Sequence, residues 1–317
     1  MRLGLAGAGP WGRRYIATIR ELPHLTLAHV ASANPASAAL VPSGCALSAD
    51  WRALAGDRSL DGLIIATPPA THLEIALLAI AHGIPVLVEK PMTLSLADAN
   101  LLAERARRAR VLVMVGHTHL YSAAFSELKT RGAALGTLRD TRSAGGNRGP
   151  YRPDTPVLWD WGSHDVAMCL ELFGVVPDAV QARRVAAAPL PEGPGEAIEI
   201  VLQFGTDRCS RIRIGNIEER KRRRFEARYD GGTLVYDDLA ANKLVFRTAG
   251  SSVEEPLPID ASLPLTNLVG EFCHRIEIGD PGDAGLELGR RVVEVLATCE
   301  SKLEAVGAGA AAPATAR

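Results

Sequence analysis

The sequence Gly7-Ala8-Gly9-Pro10-Trp11-Gly12 follows the apolar run Leu3–Ala6 in a chain of 317 residues. Its G-x-G-x-x-G spacing matches the strand-to-helix turn that binds the pyrophosphate of a dinucleotide. The first glycine permits the tight turn, the second lets the backbone approach the anion, and the third lets helix and strand pack closely. The helical pattern Trp11–Leu22 comes next, so N–H groups at a helix N-terminus would face the phosphates. The predicted dinucleotide contacts in this turn are Gly7, Gly9, Pro10, Trp11 and Gly12.

The end of the second predicted strand, Leu25–Ser32, bears on the choice between NAD and NADP. An Asp or Glu at this point binds both ribose hydroxyls and favours NAD. The chain has Ser32-Ala33-Asn34 instead, so no carboxylate there would repel a 2′-phosphate, and a serine could donate to one. Ser32 and Ala33 are therefore included among the cofactor contacts, and the cofactor is expected to be NAD(P) with a lean towards NADP.

Apolar runs and helical patterns alternate through the first third of the chain. Further strand-like runs are Leu63–Ala66, Pro85–Val88 and Val111–Val115. Helical patterns occupy Ala70–His82 and Ser95–Arg108 between them. This alternation is typical of βαβ units with a parallel sheet covered by helices on both faces. It predicts an α/β fold whose N-terminal part, residues 1–119, is a doubly wound Rossmann domain.

The pattern changes near residue 120. Helices are predicted at Ser122–Arg131, Leu158–Phe173, 266–278 and 285–303. Strand-like stretches fill the middle: Ala179–Ala186, Ala197–Phe204, Cys209–Ile217, Phe225–Tyr229 and Thr233–Tyr236, with a tight turn at Asp230-Gly231-Gly232. We expect residues 120–304 to form an α+β domain with a large, mostly antiparallel sheet that binds substrate and mediates oligomerisation. The Ala-, Gly- and Pro-rich residues 305–317 are predicted to be a disordered tail.

Composition excludes several classes of partner. The formal net charge is −1, which argues against nucleic acid or an anionic membrane surface. The basic run Arg220–Arg224 is interpreted as the exposed lip of a strand or turn, with a phosphate-binding patch as the alternative. The five cysteines are scattered, as expected of thiols in a reducing compartment. Without a run of ~18 apolar residues or a signal region, we expect a cytoplasmic protein.

Three further motifs carry a family resemblance. They are Ala66-Thr67-Pro68-Pro69-Ala70-Thr71-His72, then Glu89-Lys90-Pro91, then Asp160-Trp161-Gly162-Ser163-His164-Asp165. In this order around the glycine-rich turn they resemble the Gfo/Idh/MocA family, which includes glucose–fructose oxidoreductase and inositol 2-dehydrogenase. The resemblance implies an NAD(P)-dependent oxidoreductase that transfers a hydride between nicotinamide and a secondary alcohol or ketone of a sugar, nucleotide-sugar or cyclitol. It also implies an open C-terminal sheet that forms an oligomer interface, hence a homodimer or homotetramer.

Oxidation of an alcohol needs a base for the hydroxyl proton, and histidine or a tuned lysine can serve. Lys90 ends a buried strand, at the edge where open α/β sheets bind ligands; the alternative is a surface ion pair with Glu89. Asp160 and His164 are four residues apart on a predicted helix and share one face. The predicted catalytic residues are therefore Lys90, Asp160 and His164. His164 is assigned as acid/base, Lys90 polarises the same oxygen and Asp160 positions both, although the roles of Lys90 and His164 can be exchanged.

Other residues of these motifs are expected to contact the ligands. Thr67 and Pro68 are expected to line the cofactor, and Glu89 to hold Lys90 and the cofactor side. The predicted cofactor contacts in these motifs are therefore Thr67, Pro68, His72, Glu89 and Lys90. His72 either caps the next helix near the cofactor or lies at the surface. The predicted substrate contacts are Lys90, Tyr121, Arg148, Tyr151, Asp160 and His164. Trp159 and Trp161 are interpreted as packing residues rather than sugar platforms.

Two other functions fit parts of the sequence. His117-Thr118-His119 follows a buried strand, and with Asp160 and His164 it could hold zinc or iron in a metal-dependent hydrolase. That alternative leaves the glycine-rich turn unexplained, so no metal is expected. The second is a non-catalytic sensor that binds the dinucleotide, although Lys90, Asp160 and His164 are all present.

Overall fold

The computed structural model describes residues 1–149 and 151–309. The chain divides into two compact units. Met1–Ser122 and Ser262–Val293 form the first, and Ala123–Ala261 with the segment from Glu294 onward forms the second. The sequence predicts a single division between residues 119 and 120. In the structure the chain comes back to the first unit at Ser262–Val293. A helical pattern in a sequence does not reveal which sheet the helix packs on, so the return of Ser262–Val293 was not foreseen.

Eight α-helices are found in the described residues. They are α1 (Pro10–Arg20), α2 (Trp51–Ala55), α3 (His72–Ala81), α4 (Leu96–Ala109), α5 (Ala123–Gly132), α6 (Val157–Phe173), α7 (Pro264–Glu277) and α8 (Asp283–Gly309). The last helix extends into the predicted tail, so residues 305–309 are helical, and 310–317 lie outside the described residues. Among residues 1–149 and 151–309, no helix is long and apolar enough to cross a membrane.

The first unit contains a parallel sheet of six strands. These are β1 (Arg2–Ala6), β2 (Thr26–Ala31), β3 (Ala46–Ser48), β4 (Gly62–Ile65), β5 (Val86–Val88) and β6 (Val113–Val115), in the order β3-β2-β1-β4-β5-β6. The strand order reverses between β1 and β4, which is where Rossmann folds bind dinucleotides. Leu5, Ile64 and Leu87 are fully buried, as expected for a sheet covered on both faces.

The second unit contains an eight-stranded sheet. The strands are β7 (Leu138–Arg148), β8 (Ala179–Leu190), β9 (Gly193–Phe204), β10 (Arg208–Gly215), β11 (Ile217–Tyr229), β12 (Gly232–Asp237), β13 (Leu244–Thr248) and β14 (Glu255–Pro256), in the order β14-β13-β12-β11-β7-β10-β9-β8. Every neighbouring pair is antiparallel except β7 and β10, which run parallel. Both parts of the predicted fold class are therefore confirmed.

Helix α6 lies against the apolar face of this second sheet. Ile198, Ile200 and Ile214 point to that face and are fully buried. Gly162 allows the close approach, since a Cβ atom there would lie 3.3 Å from the Cδ1 of Ile214. The packing fixes which side of α6 meets the sheet and therefore where its polar residues stand.

Candidate active site

The glycine-rich turn has the geometry that its sequence predicts. Gly7 has a φ of +94°, a left-handed conformation that favours glycine, and its N–H donates to the Ala31 carbonyl at 2.8 Å. A Cβ atom on Gly12 would clash with the carbonyl oxygen of Gly7. At Gly9, by contrast, a Cβ atom would have no neighbour within 4 Å. The turn is therefore closed on its inner side and open at Gly9.

The N-terminus of α1 is suited to an anion. Gly9 is the N-cap and supplies no side chain to the helix, and Pro10 follows it at the first turn, which contains no acidic residue. The first N–H groups of a helix have no partner within it and carry partial positive charge. Arg14 stacks over the Trp11 ring at 4.8 Å. These residues fit the pyrophosphate of a dinucleotide.

The end of β2 offers hydroxyl and amide groups. The Ser32 Oγ lies 2.8 Å from the Oγ of Ser37 and accepts the Asn34 N–H at 3.3 Å. Asn34 Oδ1 accepts the N–H of Ala36 at 3.0 Å, and Ala33 is exposed. Ser32 is thus held in place at the point where a ribose would be recognised.

The loop after β4 is braced from inside. The Thr71 hydroxyl donates to the carbonyl of Pro68 at 2.8 Å, and its Oγ1 lies 2.7 Å from the Thr67 Oγ1. His72 is fully buried, so the alternative that placed it at the surface is wrong. Its ring nitrogens lie 3.0 Å from the Pro91 carbonyl and 2.9 Å from that of Thr67. His72 therefore ties two loops of the predicted cofactor edge together.

Lys90 is buried at the carboxyl end of β5, with 8% of its surface exposed, so the alternative of a surface ion pair does not fit. The Lys90–Pro91 peptide bond is cis. Glu89 is buried too, and its Oε2 accepts the Lys90 N–H at 3.2 Å. Its Oε1 accepts the hydroxyl of Tyr15 at 2.7 Å. No sequence pattern singles out Tyr15, because a tyrosine on the inner face of α1 has the same spacing as any core residue.

His117 lies beyond the end of β6 and is 3% exposed. Neither ring nitrogen has a hydrogen-bond partner among the described residues. Burial, and secondly the charge of Lys90, lower the pKa of His117 to about 3. Across the described chain no group of three or more His, Cys, Asp or Glu side chains could hold a metal ion, so the hydrolase alternative gains no support at His117 and His119.

The second unit contains the remaining predicted site residues. Asp160 and His164 stand one turn apart on α6. The Asp160 side chain is 19% exposed and its Oδ2 lies 3.6 Å from the Arg152 Nε, whereas His164 is buried. Arg148 is exposed at the end of β7. Tyr121 belongs to the first unit and is half-buried, and its carbonyl accepts the side-chain amide of Asn267 at 3.0 Å.

A cavity of about 410 Å³ opens beside the N-terminal turn of α6. Tyr151, Asp160 and Trp161 lie in its wall. The opposite wall includes Arg184, whose Nε lies 2.6 Å from Glu196 Oε2. The volume falls within the range of small-molecule sites. The cavity therefore joins two predicted substrate contacts, Tyr151 and Asp160.

Two further charged residues accompany α6. Asp165 is buried, which raises its pKa, and the charge of Arg223 opposes that shift. The Arg223 guanidinium stacks over the Trp161 ring at 4.2 Å. Arg223 belongs to the basic run Arg220–Arg224, which was predicted to be the exposed lip of a strand or turn. The side chains of Arg220 and Arg222 are exposed within β11, whereas that of Arg223 is half-buried. A run of like charges does not reveal which member turns inward.

Comparison with known proteins agrees with this architecture. A family model for Gfo/Idh/MocA, described as an oxidoreductase family with an NAD-binding Rossmann fold, matches residues 1–117. A solved structure from Magnetospirillum magnetotacticum MS-1, described as an oxidoreductase, is 42% identical, with a TM-score of 0.89 over 94% of this chain and 99% of that chain.

Two curated enzymes are also similar. UDP-N-acetylglucosamine 3-dehydrogenase of Acidithiobacillus ferrooxidans is 29% identical over 191 residues, which is 59% of either chain. Inositol 2-dehydrogenase 2 of Saccharopolyspora erythraea is 30% identical over 185 residues, 55% of this chain and 54% of the relative. The chain thus spans a little over half the length of these curated relatives.

The parallel sheet, its reversal of strand order and the glycine-rich turn define a Rossmann protein with a dinucleotide site. The chain belongs to the Gfo/Idh/MocA family of oxidoreductases, as its motifs indicated.

Proposed function

We propose that the chain is an NAD(P)-dependent dehydrogenase or reductase acting on a secondary alcohol or ketone of a sugar, nucleotide-sugar or cyclitol. The observation that carries the proposal is Lys90, a buried lysine at the carboxyl end of β5. It belongs to the same parallel sheet as β1, the strand that leads into the glycine-rich turn. Ligands of open α/β sheets bind at this edge. The names of the two curated relatives support the same class of substrate.

The cofactor contacts follow the turn and the two loops beside it. The backbone from Gly7 to Gly12 would hold the pyrophosphate, Ser32 and Ala33 the adenosine ribose, and Thr67 and Pro68 the nicotinamide side. When bound, the nicotinamide supplies the hydride acceptor or donor. The lean towards NADP rests on Ser32 and the absence of a carboxylate beside it.

The protein must move the hydroxyl proton. We assign His164 as the base that takes the proton from the substrate oxygen, Lys90 as the cation that stabilises the charge developing on that oxygen, and Asp160 as the group that orients them. Glu89 and His72 were predicted as cofactor contacts; we propose instead that they act behind Lys90, because their side chains bind protein groups. We retain the exchange of roles between Lys90 and His164 as the alternative mechanism.

The lining of the cavity in the second unit suits the uncharged ring of a sugar or cyclitol. Arg184 is paired with Glu196, and Arg152 faces Asp160. Tyr151 adds aromatic surface that suits the C–H face of a sugar or cyclitol ring. Trp161 lies in the same wall with the Arg223 guanidinium over its ring, as suits its interpretation as a packing residue. We propose this cavity as the place where the non-reacting hydroxyls are recognised.

The protein is also proposed to be a homodimer or homotetramer. The sheet of the second unit has one face covered by α6 and a second face with charged pairs, such as Arg183 with Glu199 and Arg224 with Glu226. Opposite charges arranged in this way suit a self-complementary contact. Light scattering after gel filtration measures the subunit count, and a monomer at micromolar concentration would contradict this part of the proposal.

The decisive experiment has a binding arm and a turnover arm. The purified protein is titrated with NADH and NADPH, and nicotinamide fluorescence is followed. Sugars, UDP-sugars and cyclitols are then screened with the cofactor that binds more tightly.

Lys90→Ala and His164→Ala should each lower kcat/KM more than tenfold, which is about 1.4 kcal/mol of barrier. Lys129→Ala, an exposed lysine paired with Glu171, is the control and should leave turnover unchanged.

The outcomes separate the proposal from its rivals. Saturable binding with turnover supports the dehydrogenase, whereas binding without turnover of any tested alcohol favours the sensor. Absence of binding at millimolar cofactor would contradict the proposal. Turnover within tenfold of wild type in Lys90→Ala or His164→Ala would show that the role assigned to that residue is wrong.

A further inference from the structure

A hydrogen-bonded pair, Tyr15 and Glu89, lies buried next to Lys90. Tyr15 is on α1 and is fully buried, while Glu89 is 5% exposed. The Tyr15 hydroxyl donates to Glu89 Oε1 at 2.7 Å. A hydrogen bond of this length to a carboxylate is of the strong, charge-assisted kind. Lys90 is the next residue, and its backbone N–H donates to the same carboxylate, so the orientation of Glu89 is coupled to the backbone at Lys90.

The carboxylate of Glu89 is enclosed on three sides. Tyr15 binds its Oε1 from α1, and the Lys90 N–H binds its Oε2 at 3.2 Å from the end of β5. Gly116, after β6, closes the third side, since a Cβ atom there would lie 3.0 Å from Oε1. The Gly116 N–H donates to the Val88 carbonyl at 2.7 Å, which holds the two strand ends together. Glu89 thus has little freedom to turn away.

Charged and titratable groups act on this carboxylate from α1 and from the end of β5. Arg14 and Tyr15 approach from α1 and Lys90 from the end of β5. His117, beyond β6, is close enough to Lys90 to feel its charge, and Tyr121, from the segment after it, acts on Tyr15. Burial raises the pKa of Glu89, and the Tyr15 hydrogen bond is the first effect that opposes it, ahead of the charge of Lys90. Burial also raises the pKa of Tyr15 well above 10, so it remains a donor at every working pH.

We propose that Tyr15 is a positioning residue for hydride transfer, one that keeps Glu89 ionised and oriented so that Lys90 is held for the substrate oxygen. The inference rests on the proposed function. Tyr15 lies three residues after Gly12 on the helix that begins at the phosphate-binding turn. One rigid helix therefore carries both the cofactor turn and the residue that holds the neighbour of Lys90. A phenylalanine would fill the same space, so the hydroxyl is the feature that matters.

The first test needs no ligand. Carbon-13 NMR of the Glu side-chain carboxyls, with Glu89 assigned by the Glu89→Gln spectrum, follows the ionisation of Glu89 in the wild type and in Tyr15→Phe. We expect the Glu89 midpoint to move to higher pH in Tyr15→Phe, because a donor that favours the carboxylate is lost. Tyr229→Phe is the matched control: Tyr229 is also buried, but burial alone raises its pKa, to about 12. It should leave the midpoint unchanged.

The second test measures function. Tyr15→Phe should bind the preferred dinucleotide within about threefold of wild type but lower kcat about tenfold, the effect of one buried hydrogen bond. The acid limb of kcat/KM should move to higher pH together with the Glu89 midpoint. The double variant Tyr15→Phe/Glu89→Gln should be no slower than Glu89→Gln alone, because a residue that acts through another gives non-additive effects.

The inference would be overturned if Tyr15→Phe left the ionisation midpoint of Glu89 or the value of kcat unchanged. It would also be overturned if the effects of the two substitutions on kcat were additive in the double variant. A kcat loss that simply follows the fraction of unfolded protein would overturn it too, since that is what a packing role produces. If the wild type binds no dinucleotide, the proposed function fails and the positioning role fails with it. In that case the NMR titration still decides whether Tyr15 controls the charge of Glu89.

Discussion

The Nδ1 atom of His72 lies 3.0 Å from the carbonyl oxygen of Pro91, the residue that follows Lys90. On the other side of the ring, Nε2 lies 2.9 Å from the Thr67 carbonyl. Burial lowers the pKa of His72, and its contacts with the backbone around Thr67 and Pro91 oppose that shift. The imidazole links the loop after β4 with the loop after β5, both of which are proposed to contact the cofactor.

Replacement of His72 should therefore damage stability and the site together. His72→Leu removes a buried hydrogen bond and leaves a carbonyl without a donor, so we expect a loss of about 1–3 kcal/mol in the free energy of unfolding. Urea denaturation measures it. His24→Leu, at an exposed position, is the control and should change stability by less than about 0.5 kcal/mol. Equal stability of His72→Leu and wild type would show that the two contacts contribute nothing.

Replacement of His117 should not destabilise the protein as replacement of His72 does, because His117 is buried without a hydrogen-bond partner among the described residues. Its folded-state pKa is about 3, below the ordinary value near 6.5. The unfolded chain therefore takes up a proton below pH ~6.5 that the folded chain refuses, and stability falls as the pH falls through that range. From pH 7 to pH 5 this histidine alone should cost about 2 kcal/mol.

The variant His117→Leu tests this account. At pH 7 it should be as stable as wild type or more stable, since no hydrogen bond is lost. At pH 5 it should exceed wild type by about 2 kcal/mol. Urea denaturation at the two pH values gives both numbers, and His24→Leu should keep the wild-type difference. A variant with the full wild-type loss between pH 7 and pH 5 would refute the argument.

The fold was predictable where the sequence carries a periodic apolar signal. Leu63–Ala66 and Val111–Val115 lie where buried strands form, because a strand covered on both faces is apolar throughout. Strand β7 was missed for the converse reason. Its residues Leu138–Arg148 include Arg139, Arg142 and two adjacent glycines and show no apolar alternation. It forms because β10 and β11 pair with it on either side, which no local pattern reveals.

Site residues are predictable from the sequence where they belong to a short motif. Gly12 and Lys90 stand in short motifs whose chemistry can be read from neighbouring residues. Tyr15 could not be found in this way, since its partner Glu89 is 74 positions away in the chain. The burial of His72 could not be predicted either, because a polar residue at the start of a helical pattern can be a helix cap or a surface residue.

Cofactor preference can be changed at the end of β2. Ser32→Asp places a carboxylate where the ribose is recognised, so it should accept from both ribose hydroxyls of NADH and repel the 2′-phosphate of NADPH. We expect wild type to bind NADPH at least as tightly as NADH, and the variant to lower the ratio of NADPH to NADH affinity more than tenfold, or about 1.4 kcal/mol. Fluorescence titration measures both affinities. Ser32→Ala, which removes the hydroxyl without adding charge, should change the ratio less than Ser32→Asp.

The glycines of the turn offer a pair of variants that separates binding from folding. A Cβ atom at Gly9 meets nothing within 4 Å in the protein, so Gly9→Ala should fold normally. It should nevertheless weaken NAD(P)H binding more than tenfold, because the methyl group would stand where the pyrophosphate approaches the backbone.

At Gly12 the Cβ atom would clash with the Gly7 carbonyl, so Gly12→Ala should lose stability as well as binding. Gly270→Ala is the control: this glycine lies in α7 with open space around it, and alanine there should raise stability by about 0.5–1 kcal/mol without affecting binding. Thermal unfolding and fluorescence titration of the three variants give the comparison, and a Gly9→Ala protein that binds like wild type would show that the pyrophosphate does not approach the backbone at Gly9.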